Sequence, residues 1–482
     1  MRGIVWLRRD LRLNDQPALS AACEECSEVI PLFVFDEPLL RSRVFGSACV
    51  SFMLGCLQEL ASSFANKGVP LQWRHGEQIE EVVRAVREWK ADVVYWNRDY
   101  EPGAIARDRA VQQRLAQLGV IVRTFKDHVV FEAKEVRSAT GEPLQRYSAY
   151  RARWWTKWQA TKPSALPIPR LLTAEKAVSL PVPPPLPSAG DLGYEPMTLW
   201  VEPGERSAQK RLRRFVEGAV HAYVTGRNLP AIDGSSILSP HFRFGTLSPC
   251  TAVHAALASL AKGGQVSRAD VLTWIDELIW REFFHQVLAA FPRVATGPFR
   301  NAVIPAAREP GQERDRLFQA WCAGRTGYPI VDAGMRQLNQ TGWMHNRVRM
   351  IVASFLIKDL RIAWQSGERY FMQQLIDADV AANNGNWQWC ASTGTDAMRG
   401  YRIFNPVLQS KKFDPKGDYI RRYVPELAKV PPLVIHEPHT MTAEDQAGAG
   451  CRIGLEYPAP IVEHQRARQE YLELGKVAKM SR

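Results

Sequence analysis

Cysteine is sparse and scattered in this chain, eight in 482 residues. No grouping of them suggests a metal cluster or a disulfide framework, and Cys23 and Cys26 flank two acids in a predicted helix rather than a redox turn. No apolar run of transmembrane length is read from the sequence, and the opening GIVWL followed by charges starts a strand, not a signal peptide. A cytoplasmic protein that does not enter a membrane is the expectation. No internal repeat is evident, and no Gly-rich dinucleotide fingerprint follows the first strand. What is in excess is positive charge: 62 Lys and Arg against 50 Asp and Glu leave +12. That balance favours a polyanionic partner.

A chain of 482 residues exceeds one ordinary core, so at least two domains are expected. From Gly3 to about Phe131, short apolar runs (IVWL, VIPLFVF, PLQW, DVVYW, VIVRTF) alternate with amphipathic stretches. This predicts a doubly wound, Rossmann-like α/β domain over residues 1–131, with a parallel sheet covered by helices. Between about Thr161 and Pro203 the chain turns rich in Pro, Ala and Leu, with PVPPPLP at 181–187, and residues 132–204 are read as a connector. From Ala208 the pattern is helical, giving an all-α domain over 205–482. Its last helix, around Ile461–Lys476, ends within a few residues of Arg482.

The densest chemistry lies at Asp377–Trp389, DADVAANNGNWQW, where two carboxylates, two adjacent amides and two indoles share thirteen positions. If helical, Trp387 and Trp389 point to different sides. In WIDELIWREFF, residues Trp274, Glu277, Trp280 and Arg281 fall at spacings of three and four on one helix face. In GWMHNRVRM, residues Trp343, Asn346 and Met350 are expected on one face, with Arg347 and Arg349 beside them. Stripes of indole, amide and charge on three helices suggest one shared ligand pocket.

These segments, with DGSSILS at 233–239 and RIFNP at 402–406, resemble the FAD-binding domain of the photolyase/cryptochrome family. The similarity is nearest to bacterial class I enzymes that repair cyclobutane pyrimidine dimers, and it covers nearly the whole chain. It implies light-driven electron transfer from reduced FAD to a dimer in UV-damaged DNA, which splits and returns the electron. Tyr223, Ser235, Ser236 and Ser239 then resemble the diphosphate side of the FAD site, with Trp274, Arg281 and Asn346 also lining it. Arg349 and Asp377 resemble the family's ion pair beside the flavin, Asp379 lies near the ring system, and Asn383 matches the amide next to flavin N5. Trp280 and Trp389 resemble the aromatic wall of the dimer pocket, Glu277 and Asn346 its polar anchors, and Met350 an apolar contact. Arg227, Arg281, Arg347 and Arg402 resemble phosphate contacts, and Lys411 and Lys412 would extend that rim. Met344-His345-Asn346 lacks the second histidine of relatives that repair (6-4) photoproducts, which favours cyclobutane dimers.

The chain departs from the family pattern at three places. Gly103 and Ala104 stand where folate-binding relatives carry an amide and a carboxylate. Folate is therefore disfavoured as antenna, leaving a deazaflavin, another flavin or none. Trp387 and Trp364 match the two inner members of the tryptophan relay that reduces the flavin. The outer one is missing from AAREPG at 306–311, so Trp321 or Tyr401 would end the relay or photoreduction would be poor. Met398-Arg399-Gly400 replaces the Ala-Pro-Tyr usual before RIFNP. The rival functions are a cryptochrome-like blue-light receptor, against which the absence of a long tail counts, and a non-catalytic flavoprotein that binds DNA. A monomer is expected.

Overall fold

The computed structural model describes residues 1–171, 182–260, 267–300, 307–396 and 402–480, with the backbone alone at 477–480. Met398–Tyr401, which include the replaced loop and one candidate relay end, lie outside the described residues. The chain forms two compact units. One holds Met1–His221, Ser236–Ala295 and Ile376–Ala382; the other holds Ala222–Ser235, Thr296–Leu375 and Asn383–Arg482.

The first unit is built on five parallel strands: β1 Arg2–Leu7, β2 Glu28–Asp36, β3 Gln72–Gly76, β4 Val93–Asn97 and β5 Ile121–Phe125, in the order β3-β2-β1-β4-β5. Ile4 pairs with Ile30 on one side and Val94 on the other. Ile4 through Leu7 are all fully buried, as expected of a central strand covered by helices on both faces. Trp6 and Trp96 meet edge to face at 5.6 Å in the core formed with Ile30, Leu32, Val82, Val86 and Leu115. The order reverses at β1, so the loops after β1 and β4 flank the switch point. They carry Arg8, Arg9, Asp99 and Glu101.

Helix Ser47–Ala65 corrects one expectation, because it is long and apolar enough by length and composition to cross a bilayer. The reading missed it because Gln58 and Glu59 interrupt the run. Phe52, Leu57, Leu60 and Phe64 are buried in this unit, and Glu59 accepts from both the backbone and the side chain of Arg206. These are the contacts of a core helix. After helix Tyr147–Thr161, the described residues up to Pro203 form neither helix nor strand. Helix Arg268–Ala290, capped by Ser267, completes the unit's candidate site elements.

The second unit is helical: Pro329–Thr341, Asn346–Ser354 running into a π-helical turn at Phe355–Asp359, Trp364–Gln374, most of Val380–Ala391, Pro406–Phe413, Asp418–Tyr423 and His464–Met480. One expected stripe is broken. Gly342, at φ 68°, closes helix Pro329–Thr341, and His345 caps the next helix by accepting from Arg347 N at 3.2 Å. Trp343 therefore lies in the turn between them, not on a face shared with Asn346 and Met350. A glycine in the left-handed region followed by a side-chain cap is an end-and-restart signal.

Candidate functional site

Helix Arg268–Ala290 turns the spacing of its polar stripe into one surface. Trp274 is buried and packs on Phe215 at 5.0 Å, whereas Glu277 and Trp280 are half-buried. Tyr147 stacks flat on Trp280, with ring centroids 3.6 Å apart and planes 8° apart, and its hydroxyl donates to Asp276 O at 2.9 Å. Phe283 and Phe284 also pack on this indole, at 5.7 and 5.6 Å, so the protein holds it on several sides while leaving it half-buried. Arg281 donates to His128 O at 2.6 Å and Phe242 O at 3.3 Å. With those bonds in place it is the least available of the arginines expected to meet phosphate.

The helix is anchored by a residue the sequence reading passed over. Glu282 is 3% exposed. One oxygen accepts from Tyr150 Oη and Trp154 Nε1, both at 2.8 Å, and the other from Val130 N at 2.6 Å and Phe131 N at 3.2 Å. Burial pushes its carboxyl up to about 7 against these four donors. A carboxylate with four donors and no cation among them fixes the helix rotation, and with it the direction of Trp280.

Asp379, expected beside a flavin ring, is the hub of a buried ionic cluster in the first unit. Its carboxylate pairs with Arg9 and lies 3.5 Å from His285 Nε2, and it caps the following helix by accepting from Ala382 N at 2.9 Å. Arg9 also meets Asp99 at 3.3 Å and Glu101 at 2.5 Å. Burial alone would raise the Asp379 pKa, but His285, Arg9 and Arg281 hold it well below the ordinary carboxylate range. Asp377 is buried nearby in sequence. Ser236 is half-buried and Ser239 exposed. Between them Ile237, a β-branched residue, is held at φ 51° and is followed by Leu238 at φ −94°, ψ −2°. Such a conformation costs about 1–3 kcal/mol and persists where surroundings impose it. Successive left- and right-handed residues also form a nest of backbone N–H groups suited to anions.

In the second unit, Tyr223 is buried under the Arg227 guanidinium, 5.3 Å from its ring, and Ser235 is half-buried. A Cβ on Gly234 would stand 2.5 Å from Gly226 O, so the two arms of this turn touch backbone to backbone and only glycine fits. Asn346 is exposed at the start of its helix, and Met350 is half-buried. Arg347 donates to Asn228 Oδ1 at 2.7 Å and lies 4.6 Å over the Phe413 ring; Arg349 Nε donates to Met344 O at 2.8 Å. Arg402 is exposed, and its carbonyl accepts from Lys358 Nζ at 2.6 Å. Lys411 pairs with Glu437 at 2.7 Å, while the Lys412 ammonium lies 5.3 Å over the Phe413 ring.

Helix Val380–Ala391 places its polar and aromatic residues as the spacing predicts. Trp387 is buried, with Gly367 so near that a Cβ there would fall 2.1 Å from the indole, and Trp389 is half-buried. Asn383 Nδ2 donates to Glu368 O at 3.0 Å. That carbonyl must be met by the NH2 end, which sets the orientation of the Asn383 amide. Asn384 donates to Glu368 Oε1 at 2.8 Å, and Gln388 donates to Asn384 Oδ1 at 2.9 Å and accepts from Phe299 N at 2.8 Å. This amide ladder fixes the helix rotation.

The fold comprises a unit built on a parallel sheet and a helical unit. Residues 3–170 match the family model for DNA photolyase, and residues 274–476 match that for the FAD binding domain of DNA photolyase. Among curated proteins, the deoxyribodipyrimidine photo-lyase of Agrobacterium fabrum is 39% identical, with 97% of this chain and 96% of that protein aligned. That of Escherichia coli K12 is 37% identical, with 99% and 98% aligned. Among solved structures, a bacterial class III photolyase from Agrobacterium tumefaciens superposes with a TM-score of 0.88 at 36% identity, covering 99% of this chain and 98% of that one. A Synechocystis cryptochrome gives 0.88 at 27% identity, covering 98% and 99%. The chain belongs to the photolyase/cryptochrome family.

Taken each by itself, the two units offer features compatible with the FAD this family carries: in the first, the turn at Ile237–Leu238, whose conformation suits an anion; in the second, the Asn383 amide, whose NH2 end is held by Glu368 O.

Proposed function

We propose that this protein repairs cyclobutane pyrimidine dimers in DNA with light, using reduced FAD, and is thus a deoxyribodipyrimidine photo-lyase. The observation that carries the reading is the half-buried pair Glu277 and Trp280 on one helix face, with the indole braced by Tyr147 at 3.6 Å. Bound and excited by blue light, reduced FAD supplies the electron that opens the dimer. The chain's residues bring the dimer to it. Photolyases act on a nucleotide pair flipped out of the duplex, and a damaged, poorly stacked dimer is easier to extrude than a normal pair. Trp280 and Trp389 stack on it, each contact worth about 1–3 kcal/mol. Glu277 and Asn346 hydrogen-bond the pyrimidine edges, and Met350 fills the apolar side. Arg227, Arg347 and Arg402, with Arg281 weakest, meet the phosphates, as charge and fork geometry suit them to do.

Tyr223, Ser235, Ser236, Ser239, Trp274, Arg349, Asp377, Asp379 and Asn383 make up the FAD set in this reading, with Arg349 and Asp377 as its ion pair. The division into 1–131, 132–204 and 205–482 is part of the same proposal, as are a monomeric state, a cytoplasmic location and no membrane partner. The net charge of +12 supports the polyanionic partner. Two oligonucleotides test it, one carrying a single cyclobutane thymine dimer and one a single (6-4) photoproduct. Light-dependent restoration of the first alone is expected; restoration of the second alone would overturn the substrate assignment.

A further inference from the structure

In the second unit, two residues past the π-helical turn, Arg361 is held in the left-handed region at φ 52°, a conformation that is costly for a residue with a Cβ. Its Nε is buried and meets no hydrogen-bond partner. Burial, and then the charge of Arg308, lower the Arg361 pKa; Glu470 opposes them, but Arg466 already engages that carboxylate at 3.1 Å. Arg308 is tied alongside through the backbone. Its N–H donates to Arg361 O at 2.7 Å and its Nε to Leu360 O at 3.0 Å. Two guanidinium groups are thus held as neighbours, and neither forms an ion pair among the described residues. Both line a cavity of about 470 Å³, together with Arg314, Glu309 and Glu313. Arg316 pairs with Glu313 at 2.9 Å, and Arg314 with Asp315 at 2.6 Å.

We propose that this cavity binds an oligophosphate, either free pyrophosphate or the phosphate tail of a nucleotide, with Arg361 and Arg308 as its anion-holding pair; the inference goes beyond the repair reading and does not rest on it. A buried donor without an acceptor, beside a like charge and on a strained backbone, lowers the stability of the empty protein three times over. An anion between the two guanidinium groups relieves two of these costs at once, by accepting from the Arg361 Nε and by screening the pair from each other. Phosphate oxygens suit the role because the planar guanidinium meets them with two parallel N–H groups. The volume is that of a small-molecule site, about 300–1,000 Å³, which is more than a single phosphate fills. Helix Gln312–Cys322 begins at the same wall, and its N-cap, Gly311, supplies no side-chain cap. The N–H groups of its first turn therefore add to the arginines as donors. Of the two acids at the wall, Glu313 has its charge met by Arg316, so the balance at the cavity stays positive.

The test uses the full chain loaded with FAD, so that the flavin site is already filled, and measures Tm and calorimetric binding at low salt with pyrophosphate, ATP and adenosine as probes. Binding with a raised Tm is expected for the phosphorylated probes and not for adenosine. A response to pyrophosphate and ATP alike assigns the site to oligophosphate as such; a response to ATP alone assigns it to a nucleotide. Arg361→Gly should weaken binding by about tenfold or more, the scale of a lost charge-assisted hydrogen bond. The same variant should raise the Tm of the protein without ligand, because glycine accepts the left-handed backbone and the like charge is gone. Arg308→Gln, which leaves the backbone at 361 as it is, should weaken binding by a similar factor. Both variants should keep the FAD content and the light-dependent activity of the wild type. Unchanged binding in both variants, adenosine binding as well as ATP, no binding of any probe, or a lower Tm for Arg361→Gly without ligand would overturn the site.

Discussion

Asp379→Asn isolates the charge at the centre of the buried cluster. Asparagine is as good a cap as aspartate, so the bond from Ala382 N at 2.9 Å survives, and only the negative charge facing Arg9 and His285 is lost. Removing one partner of a buried pair costs about 3–5 kcal/mol, because the other charge is left uncompensated. Arg9 still has Asp99 and Glu101, which places the expected loss near the lower end, about 3 kcal/mol. Asp379→Ala should lose about 1 kcal/mol more, through the cap. The pH dependence follows from the sign of the shift. The folded pKa lies below the ordinary value, so the stabilisation is present at neutral pH and declines as pH falls below about 4. Urea unfolding at pH 7 and at lower pH measures both. A loss below about 0.5 kcal/mol at pH 7, the level of an ordinary surface substitution, or a gap between wild type and Asp379→Asn that widens in acid, would refute the reasoning.

Glu282→Gln presents an NH2 group to two donors whichever way the amide turns. It should lower stability by about 2–4 kcal/mol in thermal unfolding, and a neutral result would mean that the four donors do not fix the helix. His345, whose pKa is lowered to about 4 by burial and then by Arg347, Arg349 and Arg227, caps its helix in the neutral form. Its contribution is whole above the unfolded value near 6.5 and is lost as pH falls towards 4. His345→Asn should keep the cap and flatten that acid loss in pH-dependent melts. Arg347→Ala should weaken binding to dimer-containing DNA and reduce the slope of log affinity against log salt by about 1; an unchanged slope would remove it from the phosphate set.

The sheet was legible because parallel strands buried on both faces read as continuous apolar runs, and IVWL and DVVYW are such runs. The polar stripes of Arg268–Ala290 and Val380–Ala391 were legible because helical spacing survives into the structure. Trp343 was misplaced because Gly342 and His345 act through backbone conformation and a ring nitrogen, which leave no periodic mark. Arg9, His285 and Glu282 were missed for a different reason. Arg9 and Asp379 stand 370 positions apart in the chain, and no local spacing announces such a pair, although the run Arg8-Arg9-Asp10 straight after a buried strand was an available hint. The stack of Tyr147 on Trp280 is equally remote in sequence. With Phe283 and Phe284 it changes the reading of Trp280 from an open ring to one braced by neighbouring rings.

The most direct measurement uses protein reduced without oxygen, with bound FAD, mixed with an oligonucleotide carrying one thymine dimer. Glu277→Ala combined with Trp280→Ala is run beside the wild type, in light and in darkness. The account predicts thymine restored by the wild type in the light only, with restoration lost in the double variant although FAD remains bound. No restoration by wild type holding reduced FAD would contradict it and bring forward a light receptor built on the same fold.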